Sequence, residues 1–304
     1  MSVPKANPMQ RLLDPAVLSS LSNLELVART VVDGVMVGLH RSPRFGFSQE
    51  FAEYKPYTEG DDPRYIDWNV YARSERTYIK RFRGETNSPL MILLDSSASM
   101  GYQSEQSAVS KMQYATYLAA SLAYMASKQN DAVGLMVFDE QVRDYRPPSS
   151  RPGQLQAILH CLDKVVAERG TVLEEPTTQI GALGIKKGMV AVISDFYCDH
   201  ESLLQSVRPL AFQGQDIMMF QIMDPAEIKP EIKQPGLLKD AETGQLVEVS
   251  REYMQKQYPI KMQQHITSLE NAAVAVRADH VLMQTTESLN QGLNGYLRFR
   301  TRRS

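Results

Sequence analysis

Short, continuous apolar runs alternate with helical patterns in the part of the chain after Pro89. Each run is bounded by polar residues, glycine or proline, which is typical of strands buried on both faces of a sheet. The runs are Leu90–Leu94, Ala132–Phe138, Met189–Ile193 and Asp216–Met223, and the helical patterns are Val109–Lys128, Gln154–Glu168 and Glu201–Phe212. This alternation predicts parallel strands with helices on both faces. The predicted fold class is therefore α/β and Rossmann-like, with a mostly parallel central sheet.

Further elements extend this pattern to the C-terminus. The sequence predicts an antiparallel strand at Gln141–Tyr145, a hairpin at Leu237–Val249, a helix at Glu252–Val276 interrupted near Pro259, a strand at His280–Gln284 and a helix at Ser288–Phe299. We expect the hairpin to turn at Glu242–Gly244, because a glycine there suits a tight turn between two apolar stretches.

The segment before Pro89 has a different character and predicts a smaller α+β segment. Leu24–Val37 carries apolar residues at helical spacing, and Thr77–Arg83 is rich in β-forming residues. Asp62 followed by Pro63 resembles a helix N-cap and first helical position, so a short helix is predicted over Pro63–Arg73. The change of pattern predicts two domains, residues 1–88 and residues 89–304, the second including the C-terminal hairpin and helices.

Charge and composition exclude several classes of function. The chain has 304 residues with 33 Lys plus Arg and 35 Asp plus Glu, a net charge of -2 that gives no electrostatic case for binding nucleic acid. The five histidines show no paired spacing for zinc, and no P-loop motif for ATP occurs. No apolar stretch has the length of a membrane span, and Cys161 and Cys198 are too few for a disulfide framework. These features predict a soluble, cytoplasmic protein.

Polar side chains follow two of the predicted buried strands. Asp95, Ser97 and Ser99 come after the first, and Ser194 and Asp195 follow the third. In open parallel sheets, ligands bind beyond the carboxyl ends of the strands, where the strand order reverses. Carboxylate and hydroxyl oxygens suit Mg²⁺, with Mn²⁺ or Ca²⁺ as alternatives, rather than zinc. The sequence thus predicts a divalent-cation site, although Asp and Ser also serve as turn and N-cap residues.

Two functions remain open for such a site. In the first, the cation completes its coordination with an Asp or Glu of another protein, and the chain is a non-enzymatic, metal-dependent protein-interaction module. In the second, Asp95 is the nucleophile of a magnesium-dependent phosphohydrolase. That chemistry usually places a second Asp two residues later as acid/base, and here the position is Ser97, whose hydroxyl has no useful pKa for the role.

The same residues resemble a known motif. The Asp-x-Ser-x-Ser pattern, a downstream threonine and a later strand-end aspartate look like the metal-ion-dependent adhesion site (MIDAS) of von Willebrand factor A domains. The matching metal ligands are Asp95, Ser97, Ser99, Thr171 and Asp195. The tract after Thr171 is acidic and contains Pro176, so Thr177 or Thr178 is an alternative to Thr171.

The upstream segment resembles the signature of the bacterial DUF58 family, which precedes a von Willebrand A-like domain. It includes Glu50-Phe51, Lys55-Pro56-Tyr57, the string from Gly60 to Trp68, and Ala72-Arg73, and the resemblance covers roughly residues 40–225. It implies a MoxR-type AAA+ ATPase or its client as the partner. We interpret the signature as structural: an ion-pair and cap network of Asp61, Asp62, Arg64, Asp67, Arg73 and Arg76, with Trp68 as its apolar anchor.

Overall fold

The structure of the chain is a computed structural model. The structure describes residues 13–21, 23–40, 50–58, 66–74, 76–83, 89–168, 170, 173, 177–179, 187–198, 200–230, 236–239 and 245–303. The chain forms two compact units: Met1–Val35 together with Ser88–Arg303, and Met36–Asn87. The predicted division into two domains, residues 1–88 and 89–304, stays a prediction.

The larger unit is built on a six-stranded sheet. Its strands are β3 (Leu90–Asp95), β4 (Val133–Phe138), β5 (Val142–Ser149), β6 (Met189–Ser194), β7 (Asp216–Met223) and β10 (Asp279–Gln284). Their order across the sheet is β10-β7-β6-β3-β4-β5. The pairs among β10, β7, β6, β3 and β4 are parallel, and β5 runs antiparallel to β4. The predicted mostly parallel α/β sheet is therefore confirmed.

Helices precede, separate and follow these strands along the chain. They are α1 (Pro15–Leu18), α2 (Leu24–His40), α4 (Lys111–Lys128), α5 (Gln154–Leu162), α6 (His200–Phe212), α7 (Pro225–Ile228), α8 (Tyr258–Ala275) and α9 (Asn290–Arg303). A π-helical turn, Tyr253–Gln257, precedes α8, and a hairpin of β8 (Gly236–Lys239) and β9 (Leu246–Val249) precedes that turn.

The core explains why the apolar runs are continuous rather than alternating. Every residue of β3, β4 and β6 is buried. Such strands need cover on both faces of the sheet. On one face, Leu203 of α6 and Leu269 of α8 pack in the same cluster as Leu93, and α4 also packs on β3.

The order of the strands creates a switch point at β3. The chain passes from β3 to β4 on one side and later returns to β6 on the other side of β3. Gly188 permits the close start of β6, because a Cβ atom at this position would lie 2.3 Å from the carbonyl oxygen of Pro89. The carboxyl ends of β3 and β6 consequently lie side by side at the place where ligands bind in such sheets.

The smaller unit contains an antiparallel pair and a short helix. The strands are β1 (Glu50–Pro56) and β2 (Tyr78–Arg83), and the helix is α3 (Trp68–Ser74). The predicted helix start at Pro63 lies outside the described residues. Ile66 is not helical, since it forms a bridge with Ile79, and the helix follows Asp67 instead.

Candidate metal centre

Asp95 is the last residue of β3 and is fully buried. Its Oδ1 accepts a hydrogen bond of 2.9 Å from the backbone N–H of Ser97. Its Oδ2 accepts one of 2.5 Å from the hydroxyl of Ser194, which ends the neighbouring strand β6. Two strand ends and one tight turn therefore hold this carboxylate in place.

The hydroxyls of Ser97 and Ser99 lie 3.1 Å apart beside this turn. Both residues are buried, and they flank the start of the 3-10 helix Ala98–Gly101. The spacing of two residues between Asp95, Ser97 and Ser99 thus brings a carboxylate and a hydroxyl pair to the same end of β3, as the sequence predicts.

The second strand end turns sharply after Ser194. Phe196 has a φ of 54°, in the left-handed region that a bulky residue rarely adopts. This turn lets the N–H of Phe196 donate to the Ser194 hydroxyl at 2.9 Å. The N–H of Tyr197 donates to Oδ1 of Asp195 at 3.3 Å. These two hydrogen bonds from the turn hold the Ser194 hydroxyl and the Asp195 carboxylate in place.

A buried lysine lies against Asp195. The Nζ atom of Lys111, the first residue of α4, is 2.8 Å from Oδ2 of Asp195 and 2.7 Å from Oε1 of Glu227. The side chain of Lys111 is 0% exposed and that of Asp195 is 2% exposed. One ammonium group is thus shared between two carboxylates away from solvent.

Aromatic rings cover this ion-pair cluster. The ring of Tyr197 lies over the ammonium of Lys111, with 4.9 Å from Nζ to the ring centroid. The same ring stacks on His265 at a centroid distance of 6.0 Å. A cation on the face of an aromatic ring is stabilised by the ring quadrupole, so Tyr197 adds to the enclosure of Lys111.

The electrostatics of the two aspartates differ. Burial, and then the negative charge of Asp195, raise the pKa of Asp95 to about 7. Burial disfavours the charged form of Lys111, but Asp195 and Glu227 together outweigh it, so the pKa of Lys111 lies above its usual value. Lys111 therefore stays an ammonium and neutralises charge at Asp195. Asp95 accepts hydrogen bonds from the uncharged N–H of Ser97 and the hydroxyl of Ser194.

The donor chemistry fits a hard divalent cation in part. Asp95, Ser97 and Ser99 offer oxygen ligands of the kind that Mg²⁺ binds. Among the described residues, no group of three or more His, Cys, Asp or Glu is placed to hold a metal ion. A cation at this site would thus depend on hydroxyl oxygens and on Asp95, with Asp195 committed to Lys111.

The predicted threonine ligand is untested. Thr171 lies outside the described residues. The N–H of Glu168, three positions earlier in the chain, donates to the carbonyl of Ser96 at 2.9 Å. Thr177 is buried and its hydroxyl donates to the carbonyl of Leu173 at 3.0 Å, while Thr178 is exposed.

Sequence reasoning missed Lys111 and Glu227, and gave Ser194 no role. For Lys111 and Glu227, the sequence contains a signal that could have indicated their role. Lys111 falls in the first turn of the predicted helix Val109–Lys128, where a positive charge is unfavourable beside the positive end of the helix dipole, and this indicates a carboxylate partner. Asp224 and Glu227 have the spacing of a capping box, and the structure contains that box at the end of β7.

The DUF58-type signature differs in part from the predicted ion-pair and cap network with Trp68 as its anchor. Asp61, Asp62 and Arg64 lie outside the described residues. Asp67 is buried and its carboxylate accepts a hydrogen bond of 3.3 Å from the N–H of Val70, so it caps α3. Trp68 is 63% exposed, and the interpretation of it as an apolar anchor is therefore wrong. Its ring instead contacts Tyr71 edge to face at a centroid distance of 6.0 Å.

The parallel sheet with its single antiparallel edge strand β5, and the polar residues at the switch point, define a von Willebrand A-like α/β domain. The chain belongs to the family described as "protein of unknown function DUF58", whose model matches residues 53–268.

Other proteins resemble the chain more distantly. An uncharacterized protein of Mycobacterium tuberculosis is 25% identical over 247 residues, which is 78% of this chain and 74% of that protein. A conserved hypothetical protein BatB from Bacteroides thetaiotaomicron is 14% identical, covers 70% of this chain and 98% of its own, and has a TM-score of 0.48. An aerotolerance-related membrane protein from Bacteroides fragilis is 15% identical with the same coverage and a TM-score of 0.49.

The cytoplasmic location predicted from the sequence is wrong by this comparison, because the similar Bacteroides fragilis structure comes from a membrane protein. Within the ranges that the structure describes, each helix is too short or too polar to cross a membrane. The sequence favours the cytoplasm only because it contains no apolar stretch long enough to span a membrane.

Proposed function

We propose that this chain is a non-enzymatic protein-interaction module that docks its partner through a divalent cation at the ends of β3 and β6. The observation that supports it most is the convergence of the buried Asp95 carboxylate with the Ser97 and Ser99 hydroxyls at the switch point of the sheet. Mg²⁺ is the proposed ion, with Mn²⁺ or Ca²⁺ as alternatives, since all three prefer oxygen ligands.

The charge of the site favours a protein ligand with an acidic side chain. Lys111 offsets part of the negative charge of Asp195 and Glu227, so a doubly charged cation would find few free anionic ligands. An Asp or Glu of the partner would supply the missing charge in an open coordination position. Thr171 is proposed as a further ligand, supported by the bond between Glu168 and Ser96 that directs the preceding chain toward this end of the sheet.

The partner is proposed to be a MoxR-type AAA+ ATPase or its client, on the strength of the DUF58 family. A phosphohydrolase with Asp95 as nucleophile has less support. Asp95 is fully buried, and its two oxygens accept hydrogen bonds from Ser97 and Ser194. An attacking carboxylate needs free access to phosphorus, and residue 97 supplies no acid/base group.

The test is capture of the cognate MoxR-type ATPase by purified protein, with Mg²⁺ or with EDTA. Wild type should retain the ATPase in Mg²⁺ and lose it in EDTA, and Asp95→Ala should fail in both. Ser96→Ala is a matched control, since Ser96 is a buried neighbour whose hydroxyl bonds the carbonyl of Phe138 at 2.9 Å. Equal retention under all conditions would exclude the cation as the docking point.

A further inference from the structure

The structure places a resident positive charge at one of the two aspartates of the candidate site. Lys111 contacts Asp195 at 2.8 Å and Glu227 at 2.7 Å, and no part of its side chain reaches solvent. The ring of Tyr197 lies over the ammonium, with 4.9 Å from Nζ to the ring centroid. Partners surround the ammonium on several sides. Lys111 is therefore a fixed part of the folded site and not a mobile surface side chain.

A second cation at Asp195 would therefore meet an unfavourable neighbour. The Oδ2 atom of Asp195 already accepts from Lys111, and Oδ1 accepts from the N–H of Tyr197. A divalent ion bound directly to Asp195 would lie close to the ammonium, and like charges at short range repel strongly in a buried setting. Asp95 differs, because its oxygens accept from the uncharged N–H of Ser97 and hydroxyl of Ser194.

We propose that Lys111 keeps Asp195 out of direct cation coordination and thereby sets the divalent-ion affinity of the site, leaving Asp95 as the carboxylate that ligates directly. This inference rests on the proposed function, because it concerns the same site. It assigns a role to Lys111, a residue outside the Asp-x-Ser-x-Ser pattern. It also implies that the site binds divalent ions weakly, because Asp195 is already paired with an ammonium group.

The experiment replaces the lysine without changing the net charge of the cluster. Lys111→Met combined with Glu227→Gln removes one positive and one negative charge and leaves Asp195 with a free Oδ2. The glutamine can still accept the hydrogen bond of 2.9 Å that Glu227 receives from the N–H of Asp224. Titration with MnCl₂, followed by calorimetry and by the EPR signal of free Mn²⁺, should show at least tenfold tighter binding than wild type.

A matched variant assigns the gain to Asp195. Adding Asp195→Asn to the double variant should return the Mn²⁺ affinity to within threefold of wild type. Glu227→Gln alone covers the case in which the double variant does not fold. With one carboxylate gone, the ammonium acts on Asp195 alone, and Mn²⁺ should bind at least threefold more weakly than to wild type.

The four outcomes separate this inference from the proposed function. Tighter binding by the double variant while wild type also binds supports both. Equal affinity of the two overturns the role of Lys111 and leaves the cation site standing. Binding by the double variant alone supports the role of Lys111 and overturns metal-dependent docking by the natural protein. Binding by neither overturns both.

Discussion

The Ser194 hydroxyl donates a hydrogen bond of 2.5 Å to Oδ2 of Asp95, joining the ends of two adjacent parallel strands. Both residues are buried. Ser194 in turn accepts from the N–H of Phe196, whose left-handed conformation shapes the turn after β6. The geometry of the site thus depends on a serine that is not a proposed ligand.

Ser194→Ala should lower the free energy of unfolding by about 1.5–3 kcal/mol, the range for losing a hydrogen bond to a charged group. Urea denaturation at pH 8, where a carboxyl of pKa about 7 is mostly ionised, measures the loss. Ser96→Ala is the control, because its hydroxyl bonds a neutral carbonyl and its removal should cost about 1 kcal/mol. A loss for Ser194→Ala no larger than the control would show that the Asp95 contact contributes little.

Divalent ions should stabilise the folded chain through Asp95. At an ion concentration 100 times the Kd, the gain in apparent stability is about 2.7 kcal/mol, provided that the unfolded chain does not bind. The melting temperature of wild type should therefore rise with MgCl₂ or MnCl₂, and that of Asp95→Ala should not. An equal rise in the variant would place the ion elsewhere on the chain.

Much of the large unit could be predicted because its strands are buried on both faces. The apolar runs located β3, β4 and β6 nearly to the residue, and the alternation with helices indicated that they are parallel. Local pattern was weaker at helix ends. The helix predicted over Gln154–Glu168 ends at Leu162, although Val165 and Val166 continue its apolar spacing. The N–H of Glu168 bonds Ser96 beyond β3, and the chain must extend to reach it.

The site residues that directly follow a strand could be predicted from the sequence. Those contributed by helices elsewhere in the chain could not. Asp95 and Asp195 could be paired because parallel strands end at one edge. Lys111 and Glu227 approach from α4 and α7, and a composition-based reading counts a lysine as a surface residue. Trp68 shows the opposite error, because the sequence interpretation makes it an apolar anchor and its side chain is 63% exposed.

Lys111→Met alone should destabilise the protein by about 3–5 kcal/mol, because it leaves two buried carboxylates without their cation. Adding Glu227→Gln should recover part of this loss, since only Asp195 then stays uncompensated. Thermal or urea unfolding of wild type, both single variants and the double variant forms a complete cycle. If the two single losses simply add in the double variant, the residues are not coupled in stability.

Trp68→Ala should change the free energy of unfolding by no more than about 0.5 kcal/mol, as is usual for an exposed position. Ile79→Ala is the matched control in the same unit, since Ile79 is 7% exposed and should cost about 2–5 kcal/mol. Tryptophan is absent from the variant, so circular dichroism follows both unfolding transitions. A large loss for Trp68→Ala would restore the view that this side chain anchors the signature.

His280 should make stability fall as the solution is acidified. Its Nε2 lies 3.1 Å from the Oε1 atom of Gln221, and the amide nitrogen of Gln221 donates to the carbonyl of Asp195 at 3.3 Å. Burial lowers the pKa of His280 below 6.5, although the charge of Glu270 works in the opposite direction. Below about pH 6.5 the unfolded chain therefore binds a proton that the folded chain resists, and stability is lost until the folded pKa is reached.

The free energy of unfolding of wild type relative to His280→Asn should decline over this range by at most about 1.4 kcal/mol per pH unit. Urea titrations of both proteins from pH 7.5 to pH 5 measure this difference, and parallel curves would show that His280 is not responsible for the acid response.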